Sequence, residues 1–225
     1  MDPRPIRFVA TASKGEVSGL LLRPQGARAL LVLAHGAGAD MRHSFMAALS
    51  ERLADRGIGT LRYQFPYMEA KSKRPDRAPI LMETVRSAVG AAAGVFGDLP
   101  LFAGGKSMGG RMTSSACAIR APERVRGVVF YGFPLHPAGT RSTGRADHLR
   151  AMGLPMLFLQ GNRDTLAELD LLKPVCAALG ERATLHIVEG ADHGFHVLKR
   201  SGRTDEAVLD ELADVTRDWA RRLAA

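Results

Sequence analysis

Cysteine, lysine and long apolar runs are scarce in this 225-residue chain, and each scarcity excludes something. Two cysteines, Cys117 and Cys176, stand 59 positions apart, without metal-ligand spacing. That excludes a disulfide-stapled scaffold or a zinc module and fits two buried thiols in a reducing compartment. The longest strongly apolar run, Ala29 to Ala34, is far short of the ~20 residues that span a bilayer. The first residues, Met1-Asp2-Pro3-Arg4-Pro5, are not followed by the apolar core of a secretion signal. A cytoplasmic protein without membrane partner is expected.

What is present is ordinary globular composition, with 46% apolar and 24% charged residues, at a length expected to form a single domain over residues 1–225. The net charge of +8 raises nucleic acid as a partner. Only 6 of the 31 basic residues are lysine, and acidic residues interleave the densest basic stretch, Lys71 to Arg77. Without a zinc pattern, aromatic RNA-binding box or basic helix-turn-helix, a solvated surface is the expectation and no nucleic acid is assigned.

The pattern begins with a hairpin, Ile6–Ala10 against Gly19–Leu22, and then alternates strand and helix. Strands are predicted at Ala29–Ala34, Ile58–Tyr63, Leu99–Ala103, Val125–Tyr131, Pro155–Gln160 and Thr184–Val188. Helices are predicted from a Ser44 cap to Gly57, from Pro79 to Gly97 through Leu81, Val85, Val89 and Phe96, over Met108–Ile119, and near Glu168–Leu179 and Asp205–Leu223. Segments 64–78 and 132–154 read as loops, the second with room for a short helix at Ala146–Met152. Such alternation predicts an α/β fold: a mostly parallel, twisted sheet of about eight strands with helices on both faces.

Gly105-Lys106-Ser107-Met108-Gly109 reads G-x-S-x-G between a strand and a helix, the pattern of a nucleophile elbow. Its glycines flank the sharp turn where larger side chains would collide. A phosphate-binding P-loop is excluded because Pro100 stands where its first glycine belongs. Serine needs a base. Asp164 and His193 follow the strands ending near Gln160 and Val188, in the chain order Ser, Asp, His, at the sheet edge that carries Ser107. Asp170 is the backup acid and His196 the competing base, while Asp192 is too close in sequence to His193 to orient it. Met108 N–H and one N–H of His35-Gly36-Ala37-Gly38-Ala39 are the expected oxyanion donors. Ala37 is assigned, with Gly36 or Gly38 as alternatives. This glycine loop is no dinucleotide fingerprint, since Met41 occupies the third glycine position. His193, His196 and Asp192 lack further spaced ligands, so no metal and no cofactor are assigned.

With these residues in place, the chain resembles an α/β-hydrolase of the dienelactone-hydrolase-like kind over nearly its whole length. Phe65-Pro66-Tyr67-Met68, Gly104–Arg111 and Gly132-Phe133-Pro134-Leu135-His136-Pro137 resemble a small family of testis-expressed hydrolase-like proteins and a chromatin-complex subunit. The resemblance implies the hydrolase sheet and the Ser107, Asp164 and His193 positions. Dienelactone hydrolases carry cysteine as nucleophile, and Ser107 departs from that. The expectation is a serine hydrolase of a small, soluble ester. The alternative is a non-catalytic interaction subunit, as some relatives of this family are. Segment 132–154 is too short for a large cap domain, which predicts a shallow, wet site selecting short acyl groups. Arg62, Arg111 and the Lys71–Arg77 group are expected to border it and to favour esters bearing a carboxylate.

Overall fold

The β3 strand, Ala29–Ala34, is buried at every position, because parallel neighbours pair with it on both edges and helices cover both faces. In the computed structural model, which describes residues 1–97 and 99–224, it lies within one eight-stranded sheet of order β1-β2-β4-β3-β5-β6-β7-β8. The strands are β1 (Arg4–Thr11), β2 (Gly15–Leu22), β3, β4 (Ile58–Tyr63), β5 (Leu101–Lys106), β6 (Val125–Tyr131), β7 (Met156–Gly161) and β8 (Ala183–Val188). From β4 to β8 the pairing is parallel, and β2 alone runs opposite to its neighbours. The helices are α1 (Ser44–Asp55), α2 (Pro66–Glu69), α3 (Ala78–Phe96), α4 (Met108–Ile119), α5 (Leu169–Leu179) and α6 (Asp205–Ala224). No large cap interrupts this alternation among the described residues.

Two apolar layers hold the sheet. On one face Val85, Val89 and Ala92 of α3 pack with Leu30, Val32 and Leu101. On the other, Leu49 and Leu53 of α1 and Leu212 and Trp219 of α6 pack with Leu31, Leu33 and Phe102. Arg56 at the end of α1 ties it to α6 through Asp210 and Asp214. The inward side chain expected of Phe96 lies outside the described side chains.

Four local expectations need correction. The β5 strand starts at Leu101 and runs on through Gly104, Gly105 and Lys106, because β3 and β6 hydrogen-bond it on both sides. The cap of α1 is His43, whose Nδ1 accepts Phe45 N–H at 3.3 Å, and Ser44 is already helical. The 64–78 segment contains α2, which starts at Pro66, where a missing N–H costs nothing. The short helix in 132–154 is a 3₁₀ helix over Gly144–Ala151.

Chain order along the sheet reverses between β3 and β5. At that switch point the loops after both strands part and leave a crevice at their carboxyl ends.

Candidate active site

Ser107 follows β5 directly, with φ 51° and ψ −117°, a backbone conformation a serine rarely adopts. The turn is held by Ser107 N–H to Tyr131 O (3.1 Å) and by Arg111 N–H to Ser107 O (3.1 Å). Its tightness explains the flanking glycines. A Cβ on Gly105 would stand 2.5 Å from Ala34 O, and one on Gly109 would collide with Ala34 O and His35 O. The sequence therefore leaves the hydroxyl as the first side chain at the head of α4.

Asp164 follows β7 and is buried. His193 follows β8. The Ser107 hydroxyl lies 2.8 Å from His193 Nε2, and His193 Nδ1 lies 2.6 Å from Asp164 Oδ2. An ionised carboxylate only accepts, so the imidazole donates from Nδ1 and accepts the serine proton at Nε2. Asp164 is itself fixed: Leu166 N–H donates to its Oδ1 at 2.8 Å, and Gln160 Nε2 donates to its Oδ2. Gln160 in turn accepts Phe133 N–H at 3.0 Å. The three residues chosen from chain order thus meet in one hydrogen-bonded line.

The competitors take no part in that line, although His196 borders the same cleft as Ser107 and His193. His196 is exposed and pairs with Asp205 at 2.6 Å, which raises its pKa. Asp170 is exposed and pairs with Arg141. The Asp192 carboxylate accepts the N–H groups of Gly194 (2.8 Å) and His196 (2.9 Å), shaping the loop that carries His193.

A cleft of about 590 Å³ opens over Ser107 and His193. Gly36 and Ala37 border it beside Ser107, and Met108 is the first residue of α4. Ala37 and Met108, the residues expected to supply oxyanion donors, stand in the loop after β3 and at the head of α4, on the two sides of the switch point. His35 fixes the loop after β3. Its buried ring donates from Nδ1 to Gly36 O (2.8 Å) and accepts Phe65 N–H at Nε2 (3.1 Å). Burial pushes its pKa down to about 4.

The cleft departs from expectation in two ways. Its wall is apolar, built from Ala37, Phe45, Met46, Leu166, Phe195 and Leu209, because α1 and α6 supply side chains that a missing cap was expected to withhold. It is also not bordered by Arg62, Arg111 or the Lys71–Arg77 group. Arg62 is buried and donates to Met41 O at 3.1 Å, and Arg111 faces Arg145 and His148. Lys106, the variable position of the G-x-S-x-G motif, instead brings a cationic chain to the cleft, with His196 further along the rim. Its partner, the carbonyl of His193, is 87 residues away and leaves no trace in local sequence.

Among the described residues, no group of three or more His, Cys, Asp or Glu side chains is arranged to hold a metal ion, and no helix is long and apolar enough to cross a membrane. Both cysteines are buried, which pushes each thiol up to about 12.

A parallel sheet with its serine on a strand-to-helix elbow, and an imidazole and a carboxylate aligned behind it, defines the α/β-hydrolase class. The chain belongs to the alpha/beta hydrolase domain family, whose sequence profile matches residues 27–221. Its fold is shared by solved structures at low identity. A dienelactone hydrolase from Anabaena variabilis is 20% identical, with 99% of each chain covered and a TM-score of 0.78. An esterase domain of a Rhodothermus marinus protein is 16% identical, with 100% of each covered and a TM-score of 0.76. A lidless α/β serine hydrolase from Xanthomonas campestris is 16% identical, covering 97% of this chain and 95% of that one, with a TM-score of 0.74. The neighbours show the shared fold, and the family match supports hydrolase chemistry.

Proposed function

We propose that the protein is a serine esterase that hydrolyses a small carboxylic ester through an acyl-enzyme intermediate. The observation carrying this reading is the uninterrupted Asp164–His193–Ser107 hydrogen-bond line opening onto the cleft. Ser107 Oγ attacks the ester carbonyl as its proton passes to His193 Nε2. The Asp164 carboxylate holds the ring in the required tautomer and stabilises the imidazolium. Negative charge gathers on the carbonyl oxygen, where Ala37 N–H and Met108 N–H donate to it. Each such donor lowers the barrier by ~2.7–4 kcal/mol. Collapse breaks the bond to the alcohol, which leaves with the proton from Nε2. Water then gives a proton to Nε2, adds to the acyl carbon and expels Ser107, regenerating the enzyme and releasing the acid.

The choice of an ester over an amide or thioester, and of Ala37 over its neighbours, belongs to this reading. Support comes from the esterase domain and the lidless serine hydrolase among the structural neighbours. The test is labelling of the purified protein with a fluorophosphonate probe, alongside turnover of p-nitrophenyl butyrate. Labelling that Ser107→Ala abolishes is expected. An unlabelled, inert wild-type protein would leave a non-catalytic interaction subunit as the better account.

A further inference from the structure

Lys106 places an ammonium group where burial is expensive. Its Nζ donates to the backbone carbonyl of His193 and lies 5.7 Å from the Phe45 ring centroid and 5.1 Å from that of Phe195. No carboxylate among the described residues is within ion-pair distance of it. Asp164 and Asp192 act on it only through longer-range attraction. Desolvation prevails over that attraction and pushes its pKa down to about 8. Space for the group is made by Gly132, at φ +73°, where a Cβ would stand 3.1 Å from Nζ and 3.4 Å from His193 Nδ1. An apolar side chain of similar length would fill the same volume without the desolvation cost.

Ser107 and His193 come from the end of β5 and from the loop after β8, with β6 and β7 lying between those strands in the sheet. Their register therefore depends on whatever bridges that gap. Consecutive residues do so here: Ser107 meets the ring of His193, and Lys106 holds its carbonyl. We propose that Lys106 is a positioning residue, whose ammonium pins the His193 backbone to the nucleophile's own strand and keeps Nε2 on Ser107 Oγ.

The stacked rings of Phe45 and Phe195 add a cation–π cradle, so the clamp gains from charge as well as from one hydrogen bond. Besides Asp164 and Asp192, His193 and His196 face it among the described residues, and His43 and Asp205 line the same cleft. As the ammonium loses its proton the clamp weakens, which places an alkaline decline in turnover near pH 8.

This inference rests on the esterase reading, and its test separates the two. Full-length wild type, Lys106→Met and Lys106→Gln are compared for p-nitrophenyl butyrate kinetics between pH 6 and 9.5, with fluorophosphonate labelling of each. The Gln amide keeps a donor without charge and covers the case in which Lys106→Met fails to fold. Expected are a kcat lowered on the order of tenfold or more in Lys106→Met, since small misplacements of a base are costly, with KM within about twofold. Lys106→Gln should fall between that variant and wild type, and both should lose the decline near pH 8. A wild type that neither labels nor turns over defeats the esterase reading itself. An active wild type matched within twofold in kcat by a folded variant, or a variant raising KM alone, overturns the role of Lys106. So does an alkaline decline unchanged in both variants.

Discussion

Phe45 of α1 and Phe195 of the base loop stack with ring centroids 5.6 Å apart and planes 13° from parallel. The two rings join elements distant in sequence into one apolar wall beside Ser107.

On the esterase reading, that wall is expected to set the acyl preference. Each CH₂ buried against it contributes ~0.8 kcal/mol, close to fourfold in kcat/KM. In a p-nitrophenyl ester series, kcat/KM should rise from acetate to at least butyrate. In Phe195→Ala the rise should flatten, and acetate turnover should fall as well, because the same ring cradles Lys106. A flat wild-type series would show that acyl groups do not use this wall.

Ser107→Ala and His193→Ala should each lower kcat by several orders of magnitude, leaving the residual supplied by oxyanion donors and binding. Asp164→Asn should lose on the order of 10⁴-fold through the wrong imidazole tautomer. His196→Ala, which removes an exposed partner of Asp205, should keep near-normal turnover. Steady-state kinetics on the four variants check the assignment, and a dead His196→Ala beside an active His193→Ala would move the base.

His35 makes stability depend on pH. Its folded pKa of about 4 lies below the ordinary histidine value near 6.5, so the unfolded chain takes up the proton first. The stability held above pH ~6.5 is lost progressively as pH falls towards 4, by ~3 kcal/mol in all. Urea denaturation at pH 7.5 and 4.5 should show a smaller pH difference in His35→Gln than in wild type. An equal difference in both would remove His35 as the cause.

Gly105→Ala tests the packing of the elbow. The added methyl meets backbone at Ala34 and Gly109, neither of which can rotate away. A loss of ~1–3 kcal/mol or more is expected, together with turnover. Retention of the wild-type melting temperature would show that the turn has slack.

Apolar runs and helix signals exposed most of this fold, since a strand buried on both faces has no room for polar residues. The line of Ser107, Asp164 and His193 was legible because each follows a strand in an order that places all three at one sheet edge. What escaped was set by tertiary contact. Gly104 and Gly105 read as turn residues, yet pair as strand because β3 and β6 flank them. The cleft's apolar character was hidden because Phe45 and Leu209 lie on helices whose apolar positions read simply as core. Lys106 and His35 were silent for a related reason: each takes its meaning from a backbone group that no motif specifies.

The 86-position separation of Ser107 and His193 also orders events in time. A ribosome adding about 5–20 residues per second delivers the serine roughly 4–17 s before the imidazole. During that interval the growing chain carries a hydroxyl with no base to deprotonate it, and a binding wall still missing Phe195 and Leu209. On the esterase reading the nucleophile is thus born inert, and reactivity arrives only with β6, β7 and β8, the last three strands of the sheet.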